Sequence, residues 1–529
     1  MAFLRTEKKK SGTYLRIVQS YKKDGKPKHK TLHSLGKLED YPPEQLERIA
    51  EKLLELSGKS IEEISTSFKE IARLNYGYAL VISQLWRLFS IKSFISGVNT
   101  QVRFDWENVL KLMIAERINE PVSKRQNFRN KHEYIGFGQS IELQHFYRTL
   151  DVIYQNQGRL KQHLFEQRRS LFSQELDVVF YDVTTLYFDS NIQQENALRQ
   201  KGYSKDGKAH KTQIVLGLLV DKMRNPISYQ IYKGNTYEGH TMIDALRTIK
   251  RDYKVNNVVV IADSAMIDKV NRAFITQSEF EYILGDRIKS LPQKIKTELL
   301  DKNKHLKFSY NSEQFTYTSV QYNDRKIICT YSEKRARKDA AEREKLIDKA
   351  KKWIANPSLF KQTKKRGAGR FIQTDDTGTP ELNLEKIEAE SKYDGFKAIA
   401  TTTDLSVREV LSKYRDLFEV EHAFRTLKSQ LQVRPVFHWT DKRIEGHIAV
   451  CFLAYAFLNY IRNVTSMQYK EIIKILDKMQ MSKIEEGKSK EPVYMRSALE
   501  QNTKILAQKL KLVVPKDLTP QGTVNQIFE

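Results

Sequence analysis

The chain has 529 residues, with 90 Lys and Arg against 65 Asp and Glu, which gives a formal net charge of +25 at pH 7. This length exceeds what one compact core holds, so we expect roughly three or four domains. The positive charge predicts a polyanionic partner, and nucleic acid is favoured over a membrane because the sequence has no basic amphipathic anchor. Cys329 and Cys451 lack CxxC or Cys/His spacing, which excludes a zinc-finger module and a disulfide framework.

The N-terminal residues carry charge but no apolar segment of the kind found in a secretory signal, so we expect a cytoplasmic, nucleoid-associated protein. The longest apolar run, residues 448–461, is too short to span a bilayer. This run therefore predicts a buried helix.

The first 40 residues predict a basic β-hairpin. Residues 12–21 alternate between polar and apolar side chains, residues 22–25 form a turn signal, and residues 28–35 return as a second strand. Most polar positions on this ribbon are basic, so Lys28 and Lys30 are candidates for contacts with a DNA backbone. A solvated hairpin face is the alternative interpretation.

Residues 41–174 predict a helical domain. Apolar spacings of three and four recur in residues 44–56, 80–94, 106–118 and 143–155. The basic side chains of this region make DNA contact a second expected role. They are Arg117, Lys124, Arg125, Arg129, Lys131 and Arg148.

Two acidic residues stand in or beside strand-like segments between residues 175 and 281. Residues 176–189 are rich in β-branched and aromatic side chains, which predicts a central strand with Asp182 in its middle. Asp263 directly follows a second buried strand, predicted at 255–262, and so lies at the carboxyl end where open sheets place their ligands. Between these two strands the pattern predicts a turn at 205–208, strands at 212–220 and 227–232, and a helix at 241–252.

The pattern loosens between residues 282 and 394, which predicts an insertion domain. Strand-like pieces at 306–310, 315–320 and 325–330 precede a charged helix at 333–353. Residues 361–371, KQTKKRGAGRF, are glycine-rich and basic, which suits either close approach to phosphate or an exposed loop. The candidate phosphate contacts in this segment are Lys364, Lys365, Arg366 and Arg370.

These boundaries leave residues 175–281 and 395–465 to form one catalytic core around the insertion. Residues 466–529 are then expected to form a C-terminal helical region, which is a candidate for dimerisation.

A helix predicted within residues 414–439 carries one acidic residue among cations. Glu421, Arg425 and Lys428 are spaced i, i+4 and i+7, so they share one helical face, and Tyr414 joins that face seven residues earlier. The apolar residues of the helix predict a face that docks against a core. Taken alone, this pattern favours an exposed ion pair between Glu421 and Arg425, which stabilises a helix by only about 0.2–0.5 kcal/mol.

The three acids taken together predict a metal site. Burying Asp182 in an apolar strand without a counter-charge is costly, and a divalent cation shared with Asp263 would neutralise both carboxylates. Oxygen ligands suit Mg²⁺, with Mn²⁺ as a substitute, and two such ions can activate water and stabilise the leaving oxygen of a phosphodiester. Glu421 is the expected third ligand, and Arg425 and Lys428 are expected to hold phosphates beside the scissile bond. For either Asp considered singly, a structural hydrogen-bonding role is an equally good interpretation.

Other polar and aromatic side chains near these acids are expected to be structural. Tyr181 and Tyr187 are expected to pack within the strand that carries Asp182. His422 and His438 are each expected to be satisfied structural residues. Trp439 is expected in the core, with stacking on an unpaired base as the alternative.

The order of these residues resembles that of the DDE transposases of bacterial insertion sequences. The resemblance rests on the segments FYDVTTLYFDS and VVIADS, a long insertion, and the signature Tyr-x2-Arg-x3-Glu-x6-Lys, which is matched at Tyr414, Glu421 and Lys428. Leu417 stands at the Arg position of the signature. Arg415 and Arg425 are both candidates to supply the missing charge.

Three further stretches are similar to one subfamily of these transposases: GNTYEGHT at 234–241, YSEKRARKD at 331–339 and VRPVFHW at 433–439. The resemblance implies an α/β, RNase H-like catalytic core with a mixed sheet and flanking helices, interrupted by a β-rich insertion domain. It also implies cleavage and transfer of DNA strands with two metal ions, by a homodimer bound to paired transposon ends. Tyr414, Arg415 and Arg434 then join Arg425 and Lys428 as expected DNA contacts.

Two other functions share part of this pattern. A stand-alone RNase H-like nuclease or junction resolvase uses the same carboxylates and metal, but it needs neither an insertion nor a large end-binding domain. A catalytically silent DNA-binding protein derived from a transposase is disfavoured because Asp182, Asp263 and Glu421 are all present. A glycosidase with paired acids conflicts with the strong positive charge.

Overall fold

The computed structural model describes the chain in segments. They are residues 2–23, 26–58, 68–137, 140–172, 178–189, 192–193, 197–203, 210–253, 258–264, 269–278, 280–310, 313–356, 367–374, 378–486 and 491–528. Residues 24–25 of the turn predicted at 22–25 lie outside these segments, whereas Lys22 and Lys23 belong to the strand Gly12–Lys23. The turn predicted at 205–208 also lies outside them, as do Lys364, Lys365 and Arg366. The chain divides into two compact units: unit 1 combines residues 1–73, 481–496 and 515–526, and unit 2 contains residues 74–480, 497–514 and 527–529.

Strands and helices are numbered separately in chain order. The strands are β1 (Ala2–Lys9), β2 (Gly12–Lys23), β3 (Lys26–Lys37), β4 (Phe68–Asn75), β5 (Val178–Tyr187), β6 (Gln213–Val220), β7 (Pro226–Lys233), β8 (Val259–Ala262), β9 (Glu281–Asp286), β10 (Leu306–Tyr310), β11 (Glu313–Tyr322), β12 (Arg325–Tyr331), β13 (Ile372–Thr374), β14 (Pro380–Leu382), β15 (Phe396–Thr401), β16 (Gln480–Glu486), β17 (Val493–Arg496) and β18 (Leu518–Pro520). The helices are α1 (Pro43–Leu56), α2 (Gly77–Leu88), α3 (Ile91–Ser96), α4 (Trp106–Ile118), α5 (Lys124–Asn130), α6 (Leu143–Phe172), α7 (Thr241–Tyr253), α8 (Lys269–Gln277), α9 (Gln293–Leu300), α10 (Glu333–Ile354), α11 (Leu384–Ser391), α12 (Val407–Arg415), α13 (Phe418–Ser429), α14 (Asp441–Thr465), α15 (Tyr469–Lys478), α16 (Gln501–Leu510) and α17 (Gln521–Phe528).

Unit 1 contains a three-stranded antiparallel sheet in the order β1-β2-β3. The predicted hairpin corresponds to β2 and β3, and β1 is an additional strand that pairs with β2 along its whole length. Lys28 and Lys30 lie two residues apart on β3 and are both exposed, so they share one face of the ribbon.

A four-stranded sheet has the order β18-β17-β16-β4. Three of its strands come from the C-terminal region at 466–529, which corrects the prediction that this region is helical throughout. β4 likewise lies within residues 41–174, which were expected to be helical only. Short strands such as LTP carry too few residues to display a period of two in the sequence.

Unit 2 is built on a nine-stranded mixed sheet in the order β10-β11-β12-β15-β9-β8-β5-β6-β7. β5 is parallel to β8 and antiparallel to β6, and β8 is parallel to β9. Every residue of β5 is buried except Asp182 and Tyr187, which are half-buried, and this explains its apolar composition. The predicted mixed α/β class is therefore confirmed.

The strands predicted within the insertion belong to this same sheet. β15 pairs with β9 on one side and with β12 on the other, so β10, β11 and β12 extend the sheet beyond β5, β8 and β9. Ile327 and Cys329 of β12 share one buried core with Val179 of β5. The prediction of a self-contained domain at 282–394 is corrected accordingly, although its later part has a small core of its own around Ala350 and Phe371.

Helix α14 is surrounded by other helices, since it packs on α6, α4 and α16. It contains the predicted apolar run, and within residues 448–461 every residue except Tyr460 is buried. The helix is long and apolar enough to cross a membrane, but 89% of its apolar window is buried within the protein.

Two of the helices in residues 74–172 differ from their predicted bounds. The helix predicted at 80–94 is divided into α2 and α3, because Ser90 between them adopts a left-handed conformation with φ of 48°. The helix predicted at 143–155 continues to Phe172 as α6. Its later turns are mostly polar, but Leu160 and Leu164 recur at helical spacing and are buried.

Two cations that were predicted to face DNA are buried among these helices. Arg117 donates from Nη1 to the carbonyl oxygen of Leu431 at 3.2 Å, and Lys124 donates from Nζ to Oδ1 of Asn127 at 2.9 Å. Burial lowers the pKa of Lys124 to about 7, and the nearby Arg117 adds to that shift. The two side chains therefore support the fold, whereas Arg125, Arg129 and Arg148 are exposed.

The close contact between α14 and α6 depends on Gly446. A Cβ atom at this position would lie 2.3 Å from the carbonyl oxygen of Leu150, so Gly446→Ala should force the two backbones apart and lower the free energy of unfolding. We expect a loss of about 1–3 kcal/mol in urea unfolding followed by circular dichroism.

Gly158→Ala is the matched control on α6, because no atom lies within 4 Å of the added Cβ. This change should stabilise the protein by about 0.5–1 kcal/mol through helix propensity. Equal effects of the two substitutions would contradict the close-packing explanation.

The buried Lys124 generates a prediction about pH. Its folded pKa lies below that of the unfolded chain, so the unfolded chain holds one more proton between about pH 7 and pH 10. Lys124 should therefore destabilise the fold most below pH 7, and the penalty should shrink as the pH rises. Lys124→Met should stabilise the protein more at pH 6 than at pH 9.5 in urea unfolding. Arg125→Met at the exposed neighbouring position is the control, and a benefit of Lys124→Met that grows with pH would contradict this account.

Candidate active site

Asp182 and Asp263 lie side by side where the parallel pairing of β5 with β8 ends: Asp182 is within β5, and Asp263 follows the last residue of β8. In the pairing of β5 with β8, Tyr181 lies opposite Ala262, and each Asp is the next residue along its chain. The predicted meeting of these two acids is therefore present in the structure. Asp182 is half-buried and Asp263 is exposed, so both carboxylates are accessible at this edge.

The two carboxylates have the same local hydrogen bond. Oδ1 of Asp182 accepts from the N–H of Val183 at 2.8 Å, and Oδ1 of Asp263 accepts from the N–H of Ser264 at 2.7 Å. Each bond fixes the rotation of the carboxylate relative to its own strand end. This arrangement also satisfies part of the structural role that was the alternative interpretation of each Asp.

Tyr414 approaches the second acid from helix α12. Its hydroxyl group donates to Oδ1 of Asp263 at 3.4 Å, which is a long hydrogen bond. Burial raises the pKa of Tyr414, and the negative charge of Asp263 raises it further, so the phenol stays protonated and can donate. Gly285 on β9 leaves room for this contact, because a Cβ there would lie 2.6 Å from the Tyr414 hydroxyl oxygen.

The predicted continuous helix around Glu421 is two helices. α12 ends at Arg415 and α13 begins at Phe418, and the bonds between them run from Leu417 N–H to the Tyr414 carbonyl and from Glu419 N–H to the Asp416 carbonyl. These i to i−3 bonds tighten the chain relative to an α-helix. Tyr414 therefore does not belong to the helix that carries Glu421, which corrects the prediction of one shared face.

Helix α13 is held against the sheet by apolar contacts and one ion pair. Val420, Phe424 and Leu427 are buried, and the helix packs on β5 and β6. Glu419 forms an ion pair with Arg224, both side chains being largely buried. The Arg117 guanidinium holds the chain just beyond the helix through the Leu431 carbonyl. Together these contacts fix the position of α13 beside the strand that carries Asp182.

The opposite face of α13 is accessible. Glu421 and Arg425 are exposed and Lys428 is half-buried. Both Glu421 and Arg425 belong to the described part of the chain, and no ion pair within 4 Å joins them, so the simple surface-pair interpretation does not describe this helix.

A cleft of about 630 Å³ opens from Asp263 towards α10 and α11. We call it the balanced cleft, because cations and carboxylates line it in equal number and most of them pair with each other. Arg370 pairs with Glu390 at 2.9 Å, Lys289 approaches the same carboxylate at 3.6 Å, and Arg343 pairs with Asp394. Arg370, a predicted phosphate contact, is thus placed in a cleft that includes Asp263.

Lys397 on β15 lies at the boundary of this cleft. Its Nζ atom is 4.6 Å from the centre of the Tyr414 ring. Burial lowers the pKa of Lys397, whereas the charges of Asp263 and Glu421 oppose that shift. Lys397 is therefore a cation within the field of two of the three predicted acids, and the sequence reasoning missed it. Its only signal was a basic residue in the otherwise apolar strand that precedes α12.

The donor chemistry of the three acids fits a hard divalent cation, because Asp182, Asp263 and Glu421 supply carboxylate oxygens. The three side chains do not, however, lie close enough together to hold one metal ion. Across the described segments, no group of three His, Cys, Asp or Glu side chains lies close enough to hold a metal ion. The structure thus brings the two aspartates together and leaves Glu421 on a neighbouring helix.

The remaining predicted residues lie around this edge or away from it. Arg434 stacks over Tyr187 with 5.3 Å between the guanidinium carbon and the ring centre. His438 is buried, and burial lowers its pKa to about 3, while His422 is half-buried beside Phe418. Trp439 is 54% exposed and faces the Arg199 guanidinium at 4.7 Å, which corrects its expected core position.

Two family models match the sequence. The transposase DDE domain matches residues 173–457, which is more than half of the chain, and the IS1634 family transposase N-terminal domain matches residues 4–64. This match covers the segments that carry Asp182 and Asp263, and it assigns the chain to the class of DDE transposases. The chain belongs to the DDE transposases of insertion sequences, and its N-terminal match is to the IS1634 family. No curated protein matches the sequence.

Solved structures with some likeness include two complexes of Mos1 transposase. The paired-end complex with left transposon end is 11% identical over 35% of this chain and 59% of that chain, with a TM-score of 0.15. The pre-cleavage Mos1 transpososome is 14% identical over 36% of this chain and 64% of that chain, with a TM-score of 0.14. The chain spans less than two thirds of the length of either protein, and likeness this weak carries no structural argument.

Proposed function

We propose that this protein binds the terminal inverted repeats of a transposon and catalyses metal-dependent cleavage and transfer of DNA strands. The observation that carries the proposal is the register of β5 and β8, by which Asp182 and Asp263 lie beside each other, with Asp263 lining an accessible cleft. The nine-stranded sheet around them is inferred to contain an RNase H-like core. Membership of the DDE transposases supports this reaction class.

Asp182, Asp263 and Glu421 are proposed as the catalytic carboxylates and metal ligands. Two Mg²⁺ ions, or Mn²⁺ in their place, would supply an activated water and stabilise the leaving oxygen of the phosphodiester. The protein supplies orientation: backbone N–H groups fix both aspartates, and Tyr414 donates to Asp263. Glu421 completes the site from α13, which the buried contacts of that helix hold beside β5.

DNA is the proposed partner, both as transposon end and as target. Exposed Arg425 and half-buried Lys428 follow Glu421 along α13, and we propose that they contact phosphates near the scissile bond. Lys28 and Lys30 on β3 offer a second, separate contact surface in unit 1. The other proposed contacts are Tyr414, Arg415, Arg434, Lys364, Lys365, Arg366 and Arg370.

A homodimer on paired ends, acting in the bacterial cytoplasm, is the proposed assembly. The net charge of +25 supports a polyanionic partner of this kind. Because much of that charge would be neutralised by DNA, we place dimerisation in the DNA-bound state.

The carboxylates are tested by isosteric substitution. Asp182→Asn, Asp263→Asn and Glu421→Gln should each reduce cleavage of end-bearing DNA in Mg²⁺ by at least about 10³-fold, because a metal ligand is lost. Binding of the same DNA should stay within about threefold of the wild type, or tighten as a negative charge is removed. Cleavage is measured by mapping 3′ ends and binding by fluorescence anisotropy. Retained cleavage would exclude that residue from the site. Glu344→Gln, at an exposed position on α10, is the control.

The cationic face of α13 is tested by the salt dependence of binding. Arg425→Gln and Lys428→Gln should each reduce the slope of log K against log salt by about 0.9, the value for one duplex phosphate contact. Lys442→Gln, which removes an exposed charge at the start of α14, should change the slope much less. Unchanged slopes for both α13 variants would remove this face from the DNA interface.

A further inference from the structure

A second cleft, of about 460 Å³, is lined by Tyr414 and by the first turns of α10. We call it the basic cleft. Its charged lining residues are all cations, and no carboxylate of the described segments lines it. The cations are Lys334, Arg335, Lys338, Lys397 and Arg415.

The two clefts share Arg335 and Lys397, which stand between them. Two of these cations pair with carboxylates: Asp339 lies 3.5 Å from Arg335, and Glu342 lies 3.8 Å from Lys338. Both carboxylates line the balanced cleft. These pairs are largely exposed, so they offset little of the positive field in the basic cleft.

Crowding of like charges within the basic cleft is visible at Lys397. Burial lowers the pKa of Lys397, and Arg335 and Arg415 add to that shift, whereas Asp263 and Glu421 oppose it. An anion bound among these three side chains would relieve the repulsion. The cleft is therefore suited electrostatically to a ligand that carries negative charge.

The cleft wall is held rigidly on the catalytic sheet. The N–H of Ser332, at the start of α10, donates to the Gly395 carbonyl at 3.1 Å, and the N–H of Gly395 donates to Oδ2 of Asp339 at 3.0 Å. Gly395 has a φ of 82°, and a Cβ there would lie 2.7 Å from Tyr331 and 2.9 Å from the Ser332 carbonyl oxygen. The first turns of α10, which carry three of the five cations, are thus fixed directly beside β15.

The dimensions and the floor of the cleft limit the ligand. Phe315 and Tyr414 are only 8% and 5% exposed, and Arg415 already covers the Phe315 ring at 4.5 Å. These rings therefore present little free surface for stacking a base. A cavity of about 460 Å³ admits one strand of a nucleic acid backbone, whereas a duplex is far wider.

We propose that the basic cleft binds the phosphodiester backbone of a single DNA strand that passes Tyr414 on its way to Asp263. The assignment rests on the proposed transposase function and adds to it a binding site for an unpaired strand. Exposed Lys334 and Lys338 contact phosphates at the outer end, and Lys397 and Arg415 contact them at the inner end. The DDE signature lacks its Arg at Leu417, and Arg415 supplies a cation from inside this cleft.

The test compares two pairs of substitutions on the same helix. Lys334→Gln with Lys338→Gln removes two charges from the basic cleft, whereas Lys345→Gln with Lys352→Gln removes two exposed charges from later turns of α10. The probes are twenty-nucleotide oligothymidylate, a twenty-base-pair duplex and inorganic tripolyphosphate. Binding is measured by fluorescence anisotropy across salt concentrations, and thermal unfolding verifies that both double variants are folded.

The cleft pair should reduce the salt slope for oligothymidylate by about 1.4, since each single-strand phosphate contributes about 0.7. Affinity at 0.1 M salt should then fall roughly 10- to 30-fold. The single change Lys334→Gln should give about half the change in slope. The control pair should change the slope for oligothymidylate by less than half as much. For the duplex, the cleft pair and the control pair should change the salt slope equally.

Three results would overturn the proposal. If the cleft pair and the control pair lost the same affinity for oligothymidylate, the effect would be general charge attraction. If the cleft pair lost the same affinity for duplex as for oligothymidylate, the cleft would be an ordinary surface contact. If the cleft pair lost tripolyphosphate binding but kept oligothymidylate binding, the ligand would be a free polyphosphate. If wild-type protein cleaves no DNA although the expected binding pattern appears, the proposed catalytic function fails and the strand-binding site stands.

Discussion

Repulsion between Asp182 and Asp263 is the constraint on which the site depends. Parallel pairing of β5 with β8 sets the two residues in register, so the backbones that carry them are separated by the spacing of adjacent strands, about 4.8 Å. A fold can keep such a pair only if positive charge or hydrogen-bond donors compensate it. Backbone N–H groups, the Tyr414 hydroxyl and the ammonium group of Lys397 provide that compensation from the protein itself.

Much of the catalytic half could be predicted from the sequence because its signals are local. The apolar, β-branched run around Asp182 predicts a buried strand, and Asp263 directly follows another such run. The spacing of apolar residues likewise predicted the helix that carries Glu421, although not the break before Phe418. That break arises from i to i−3 bonds around Leu417, and neither Gly nor Pro marks it in the sequence.

The features that sequence reasoning missed depend on contacts between distant segments. Arg117 and Lys124 look like surface cations until α14 and the loop after α13 cover them. Trp439 looks like a core residue, but the loop after α13 leaves it exposed beside Arg199. The sequence predicts a separate insertion domain because more than a hundred residues lie between the segments that carry Asp263 and Glu421. In the structure, β15 pairs with both β12 and β9, so the insertion strands continue the same sheet. Removing the whole insertion would therefore open an edge of the catalytic sheet.

The sheet that contains β4 has a consequence for how the chain is made. β4 ends at Asn75, and its sheet neighbour β16 begins at Gln480. The Asn75 side chain also donates to the Leu476 carbonyl, a partner 401 residues away. At a synthesis rate of about 5–20 residues per second, that partner emerges roughly 20–80 s after Asn75. During this interval β4 has an unpaired edge, so a nascent chain released early would carry an aggregation-prone strand and no completed sheet.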